Sequence, residues 1–314
     1  MTYPDPTKTT ILTDAPLPMM SLPEAWSRYE AIRERLPQAS AVGAPRHVGS
    51  LLDVAEDFDG FLFDSFGVLN VGETAIVGAA ACLTKLRRMG KRIRILTNAA
   101  SYTGDVAVAK YTQMGIHVMR DEIVSSRDVT FAHLDTFEPN ILWGVIAADG
   151  DSFEDAGDLR LFDMLNEANG WSRAEGVLFL SSARWNVTLQ ERLVASLRAQ
   201  PRPVVIGNPD LIAPREGGLS IEPGYWAHDL QDRTGVVPRL FGKPYREAFD
   251  IALREMGPGR YAMIGDTLHT DILGGQAAGL ATILVTDHGL FTGYDTTPFI
   301  TESGLIPDII LPSI

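Results

Sequence analysis

The chain has 314 residues, 45% of them hydrophobic and 21% charged, which suits a globular protein with a sizeable core in one large domain or two modest ones. Its 27 basic and 40 acidic residues give a net charge of −13. That balance argues against nucleic acid or an anionic membrane as the main partner, but not against a small phosphate-bearing molecule, because local charge decides that. The single cysteine, Cys82, excludes an internal disulfide framework and fits a reducing compartment. In the run Ala79-Ala80-Ala81-Cys82-Leu83 it reads as a small buried hydrophobe rather than a nucleophile. No apolar run of about 18 residues predicts a membrane span. Residues 1–17 lack the basic and apolar regions of a signal peptide, so the cytoplasm is the expected location.

Residues 1 to about 20, rich in Pro, Thr and Asp, read as an extended arm. Ser21-Leu22-Pro23-Glu24 has the pattern of a capping box, and Trp26, Tyr29, Ile32 and Leu36 then fall on one helical face until Pro37. Phe61 to Phe63 predicts a short buried strand, Ala75 to Met89 a helix stopping near Gly90, and Ile93 to Leu96 a second strand. A helix over Val106 to Met114 and a strand over Ile141 to Ala147 follow. Alternating strands and helices imply a mostly parallel sheet covered on both faces, a Rossmann-like doubly wound α/β core. From 151 to 215 the chain reads as an insertion, a smaller α/β cap, introduced by the acidic stretch Asp149 to Asp155. It carries a strand (Gly176 to Leu180), a helix (Leu189 to Leu197) and a strand (Val204 to Ile206). The core pattern resumes with Arg239 to Phe241, Tyr261 to Ile264 and Ala281 to Val285. The expected organisation is therefore an arm and helix over 1–47, a core over 48–150 and 216–314, and a cap over 151–215.

Two predicted strands end in carboxylates, at Asp64 and, after Gly265, at Asp266 with Asp271 close behind. Open α/β sheets bind ligands at the carboxyl edge. Side by side, the two strands would gather Asp64, Asp266 and Asp271, and clustered carboxylates repel unless a cation sits among them. A hard, oxygen-loving cation such as Mg²⁺ suits that donor set. There is no Walker loop and no G-x-G-x-x-G after a strand, so P-loop hydrolysis and dinucleotide binding lack support.

Four motifs stand in a set order: Asp64-Ser65-Phe66-Gly67-Val68-Leu69, then Thr97-Asn98, then Gly242-Lys243-Pro244, then Gly265-Asp266 with Thr270-Asp271. Together they resemble the haloacid dehalogenase (HAD) superfamily over roughly residues 50 to 314. Asn208-Pro209-Asp210 and the place of the insertion narrow the resemblance to class IIA, the NagD-like phosphatases. The resemblance implies a Mg²⁺-dependent hydrolase of a small phosphorylated metabolite, working through an aspartyl-phosphate on Asp64. Asp64, Asp266, Asp271 and the backbone carbonyl of Phe66 would hold the ion. Thr97, Asn98 and Lys243 would hold the phosphoryl oxygens, with Lys243 placed where negative charge gathers. The oligomeric state stays open at the sequence level, with a homodimer as one outcome, since capped members of the branch that the chain resembles often pair.

One position departs from the pattern. The family's phosphatases carry a second Asp two residues after the nucleophile as general acid and base, and here that residue is Phe66. Losing a positioned acid typically costs roughly 10²–10⁴-fold in rate. Three alternatives stay open at the sequence level. His269 or Glu73 would act as acid; substrates would have leaving groups that need no proton; or the chain would bind a phosphorylated ligand without turnover. A phosphonatase or dehalogenase-like chemistry also dispenses with the second Asp, although Asp266, Asp271 and Lys243 favour metal and phosphate. In the cap, Arg184 follows a strand and is expected to face the substrate. Asn208 and Asp210 should shape the junction between cap and core, and Arg215 would offer charge to a substrate anion. His47, His117, His133, His228 and His288 show no metal-ligand spacing and read as structural or surface residues.

Overall fold

Phe61, Leu62 and Phe63 are all fully buried, as expected of a central strand covered on both faces. The computed structural model of the chain describes residues 18–39, 43–134, 136, 140–167, 169–254 and 256–314. Most of the expected N-terminal arm lies outside the described residues. Gly60–Phe63 sits in a seven-stranded parallel sheet ordered Arg46–His47, Ile309–Leu311, Ala281–Val285, Tyr261–Gly265, Gly60–Phe63, Arg92–Thr97, Ile123–Ser125. The side-chain period of two sends Phe61 and Phe63 to one face, with Ile93, Ile95, Ile264 and Ile283, and Leu62 to the other, with Leu96 and Met263.

A second, five-stranded parallel sheet runs Arg239–Leu240, Val204–Ile206, Gly176–Phe179, Trp143–Ile146, Leu161–Asp163. Two strands expected in the core, those near 141–147 and 239–241, thus belong to this second sheet. Its strands span 143 to 240, wider at both ends than the insertion read from the sequence. The physical reason is that a fully apolar strand announces burial but not which parallel sheet it joins. Leu62, Met263, Phe249, Val129, Val145, Leu178 and Val205 form part of one buried cluster, so the two sheets share a core.

A third, antiparallel sheet joins Met19–Met20 to the hairpin Ile212–Arg215 and Gly218–Ile221. The N-terminal helix, Leu22–Ala31, begins as expected: Glu24 accepts from both the backbone N–H and the hydroxyl of Ser21. Trp26, Tyr29, Ile32 and Leu36 are buried, against Leu268, Ile272, Leu290 and Phe291 of the core. The helix expected from Ala75 starts at Ala79, because Thr74–Ala75 instead pairs antiparallel with Asn70–Val71.

Candidate active site

Strands Gly60–Phe63 and Tyr261–Gly265 are parallel neighbours, with Phe63 opposite Ile264. Asp64 and Asp266 therefore emerge side by side at the carboxyl edge. Asp271 returns to them through a widened helical turn, in which the Ile272 N–H reaches the Thr267 carbonyl five residues back. Such turns recur at functional sites. The Thr267 N–H fixes the turned-in carboxylate by donating to Asp271 Oδ2 at 3.1 Å. Glycine is required beside the cluster. A Cβ on Gly265 would lie 2.0 Å from Asp271 Cγ, and one on Gly67, at φ +82°, 2.5 Å from Asp266 Oδ2.

Asp64, Asp266 and Asp271 are all buried, and each offers an oxygen within 4.8 Å of the others. Lys243 Nζ sits among them, 2.5 Å from Asp64 Oδ1 and 2.7 Å from Asp271 Oδ1. Burial pushes the Asp64 carboxyl well above its ordinary range; Asp271, Asp266 and Asp210 add to that, while Lys243 opposes it. Burial, then Asp271, raises Asp266 to about 7. Burial works against the Lys243 ammonium, but Asp271, Asp64 and Asp210 outweigh it and hold it charged. One ammonium cannot balance this many carboxylates. The surplus of hard oxygen donors fits a divalent cation of the Mg²⁺ or Ca²⁺ type.

Asn98 works differently from its expected part. Its Oδ1 accepts from the Lys243 N–H at 2.7 Å and from Ser126 Oγ at 2.8 Å, while its Nδ2 donates to Asp210 Oδ1 at 2.7 Å and to the Lys243 carbonyl at 2.9 Å. The side-chain amide is thus a clip between the second motif, the lysine loop and the Asn208-Pro209-Asp210 turn. Buried Thr97 accepts from the Ala99 N–H at 3.2 Å, which leaves its hydroxyl proton free to donate. Asp210 keeps some surface exposure, yet the surrounding protein pushes its carboxyl up to about 7, with Lys243 and the Asn98 bond opposing. Asn208 Oδ1 accepts from the Asp210 N–H at 3.0 Å, which closes the turn between them.

The structure parts three residues from the chemistry expected of them. His269 points to the N-terminal helix, where it stacks on Tyr29 at 4.7 Å and its Nε2 pairs with Glu30 at 2.7 Å. Glu73 pairs with Lys110 at the surface. Arg184 is engaged by Asp163 at 2.5 Å, Asn166 at 3.0 Å and the Ala147 carbonyl at 2.9 Å, all within the second unit. Arg215, by contrast, lies over the Phe66 ring, 4.7 Å from its centroid. Sequence reasoning missed Ser126, which carries no local signal, and the fully buried Arg127. The guanidinium of Arg127 grips Asp151 and Asp155, and it also donates to the Ala100 carbonyl beside the second motif. The acidic stretch was legible; its partner was not.

Family models for a haloacid dehalogenase-like hydrolase and a HAD-hydrolase-like domain match residues 61–158 and 240–299, which bracket the four motifs. The chain belongs to the haloacid dehalogenase-like hydrolases. Within them it falls in the NagD-like branch, as a phosphatase-like hydrolase. It is 29% identical to the glycerol-3-phosphate phosphatase of Gallus gallus, over 83% of this chain and 91% of that protein. The p-nitrophenyl phosphatase of Archaeoglobus fulgidus is 25% identical and superposes with a TM-score of 0.67, covering 82% of this chain and 96% of that one. NagD of E. coli, at 24% identity and a TM-score of 0.62 over 81% and 96% of the two chains, shares the fold. Among the described residues, no helix is long and apolar enough to cross a membrane.

Proposed function

We propose that this HAD hydrolase cleaves small phosphorylated metabolites through an aspartyl-phosphate on Asp64, with a divalent cation, and favours leaving groups that depart without a proton. The observation that carries the reading is the buried triad of Asp64, Asp266 and Asp271 with Lys243 among them. These three carboxylates and the Phe66 backbone carbonyl would hold Mg²⁺, which when bound supplies positive charge against the phosphoryl oxygens. Asp64 attacks phosphorus in line, and the bond from phosphorus to the leaving oxygen breaks with its electron pair on that oxygen. Lys243, the Thr97 hydroxyl and the backbone at Asn98 orient the phosphoryl group. Water then attacks phosphorus, the Asp64 carboxylate is released, and the departing phosphate takes up the proton of water.

Phe66 offers no proton at the position where the leaving oxygen departs, and His269 and Glu73 are engaged elsewhere. Aryl, acyl and anhydride phosphates therefore suit the site better than alkyl esters. Sugar and glycerol phosphates, the substrates named for its relatives, are largely alkyl esters and serve as the comparison class in a substrate screen. The unit whose strands run from Trp143 to Leu240 serves as the cap that closes over substrate.

The test is p-nitrophenyl phosphate hydrolysis with Mg²⁺, with EDTA, and in Asp64→Asn. Activity that requires both the metal and Asp64 is the expected result. Mg²⁺ binding with no hydrolysis in any condition would favour the second reading, a phospho-ligand-binding protein, which Phe66 alone recommends. A homodimer would appear as twice the chain mass in light scattering.

A further inference from the structure

Phe66 is half-buried, two residues after the nucleophile, and its ring carries a guanidinium on its face. That guanidinium belongs to Arg215, on the hairpin that folds back to the core. Three contacts set its pose: Nε donates to Ser220 Oγ at 3.1 Å, Nη2 to Glu222 Oε1 at 3.1 Å, and the plane rests on Phe66. Glu222 is itself buried and held by Ser220 Oγ at 2.7 Å and Asn208 Nδ2 at 3.3 Å, so the arginine is aimed from a fixed base. Among the described residues Nη1 has no partner, and the side chain keeps 29% of its surface exposed. Its charge also acts on Tyr102, in the loop after Thr97-Asn98, against the burial that raises that phenol.

Arg215 also lines a cavity of about 530 Å³. Gly289 and Leu290 form another wall, and the Leu290 N–H donates to Asp266 Oδ2 at 2.7 Å, so this cavity backs onto the carboxylate cluster. Glu216 faces the same cavity but is engaged by the Glu73 N–H and the Thr74 hydroxyl. A planar cation with an unpartnered Nη1, held over the ring of the residue at the family's proton-donor position, is built to receive negative charge.

Resting on the reading of Asp64 as nucleophile, we propose that Arg215 is a specificity-determining residue that binds a second anionic group, phosphate or carboxylate, carried by the leaving group of the substrate. The favoured substrates are then diphosphates and phosphorylated acids. In the first step the Asp64 Oδ–P bond forms and the P–O bond to the leaving group breaks. The electron pair stays on the departing oxygen, no proton is transferred, and the added negative charge is met by Arg215. Phe66 positions the guanidinium and excludes water from its face.

The experiment compares kcat/KM for inorganic pyrophosphate, phosphoenolpyruvate and p-nitrophenyl phosphate, at fixed free Mg²⁺, in the wild type, Arg215→Gln and Arg215→Lys. p-Nitrophenyl phosphate has a leaving group of similar basicity to phosphate but no second anion in its ground state. A charge-assisted contact predicts that Arg215→Gln lowers the rate ratio of pyrophosphate, phosphoenolpyruvate or both over p-nitrophenyl phosphate by at least about tenfold, and that Arg215→Lys restores part of it. A fall for pyrophosphate alone identifies phosphate as the second anion, and one for phosphoenolpyruvate alone identifies carboxylate. Equal losses on all three substrates, with thermal melting unchanged, would overturn the proposal while leaving the Asp64 reading intact. If the wild type hydrolyses none of them, that reading fails instead. Calorimetric titration of pyrophosphate then decides: equal affinity in the wild type and Arg215→Gln rejects the role for Arg215.

Discussion

Replacing Phe66 by Asp supplies the acid that the family resemblance implies at this position, and sequence reasoning alone expects alkyl phosphatase activity to rise. The structure predicts otherwise for the single variant. An introduced carboxyl would meet the Arg215 guanidinium, now 4.7 Å from the Phe66 ring centroid. At that separation and an effective dielectric constant of about 20, the pair gains about 3.5 kcal/mol in the ionised form. That is a factor of about 400 against the protonated acid, most of what a general acid contributes. Phe66→Asp alone should therefore gain little on glycerol 3-phosphate. Phe66→Asp combined with Arg215→Gln should gain roughly 10²–10⁴-fold over the wild type. The assay is kcat/KM for glycerol 3-phosphate and p-nitrophenyl phosphate across pH 5–8, where only the double variant should acquire an acidic limb on the alkyl substrate. Full gain in the single variant, equal to that of the double, would refute the reasoning. So would no gain in either.

Asp266, raised to about 7 by burial and then Asp271, binds its proton more tightly folded than unfolded. Its contribution therefore destabilises the metal-free protein increasingly as pH rises from the ordinary carboxylate range to about 7. In EDTA, the melting temperature of the wild type relative to Asp266→Asn should fall over that window, and the stabilisation by Mg²⁺ should grow with pH; a flat difference would reject the assignment. Arg127→Ala leaves Asp151 and Asp155 facing each other without their buried guanidinium, and urea unfolding should show a loss of roughly 3–5 kcal/mol. A loss below about 1 kcal/mol would mean that the contact is not a buried pair in solution. His269→Phe removes the bond to Glu30 but keeps a ring against Tyr29 and Trp26. It should cost about 1–3 kcal/mol of stability and leave the pH profile of hydrolysis in place. A lost limb of that profile would return His269 to the chemistry.

The central strand and the carboxylate that follows it were legible because a run as apolar as Phe61-Leu62-Phe63 has few other fates, and Asp64 ends it. The N-terminal helix was legible from its cap and face, but not what it does. Only its docking against Leu268 and Ile272 shows why His269, inside the last motif, turns away from the site. The strand at Trp143–Ile146 illustrates a general limit, since its sequence fits either parallel sheet and the hydrogen-bonded neighbour decides. Asn98 looked like a phosphate ligand because an amide at a strand's carboxyl end has that chemistry. Its real partners, the Lys243 backbone, Ser126 and Asp210, come from three distant segments that no local spacing relates. The Arg215–Phe66 contact was hidden for the same reason.

Charge balance connects these observations. Asp64, Asp210, Asp266 and Asp271 act on one another and on a single ammonium, that of Lys243. Even with a divalent cation present, an approaching dianionic phosphate meets a site with no positive surplus when all four carboxylates are ionised, and each further carboxylate would make entry harder. A site with Asp in place of Phe66 would carry one more negative charge and, on the proposed mechanism, would hold it beside the leaving group. Phe66 removes it, and Arg215 adds a cation on the same side. The exchange sacrifices proton transfer, and it lowers the Coulombic barrier for a substrate whose leaving group is itself an anion. Such a leaving group needs no proton. On the proposed reading, the absence of an acid at Phe66 and the presence of Arg215 would be two parts of one substrate preference. Testing Phe66 and Arg215 singly and together is the way to separate that account from two independent residues, because only a coupled pair gives a non-additive result.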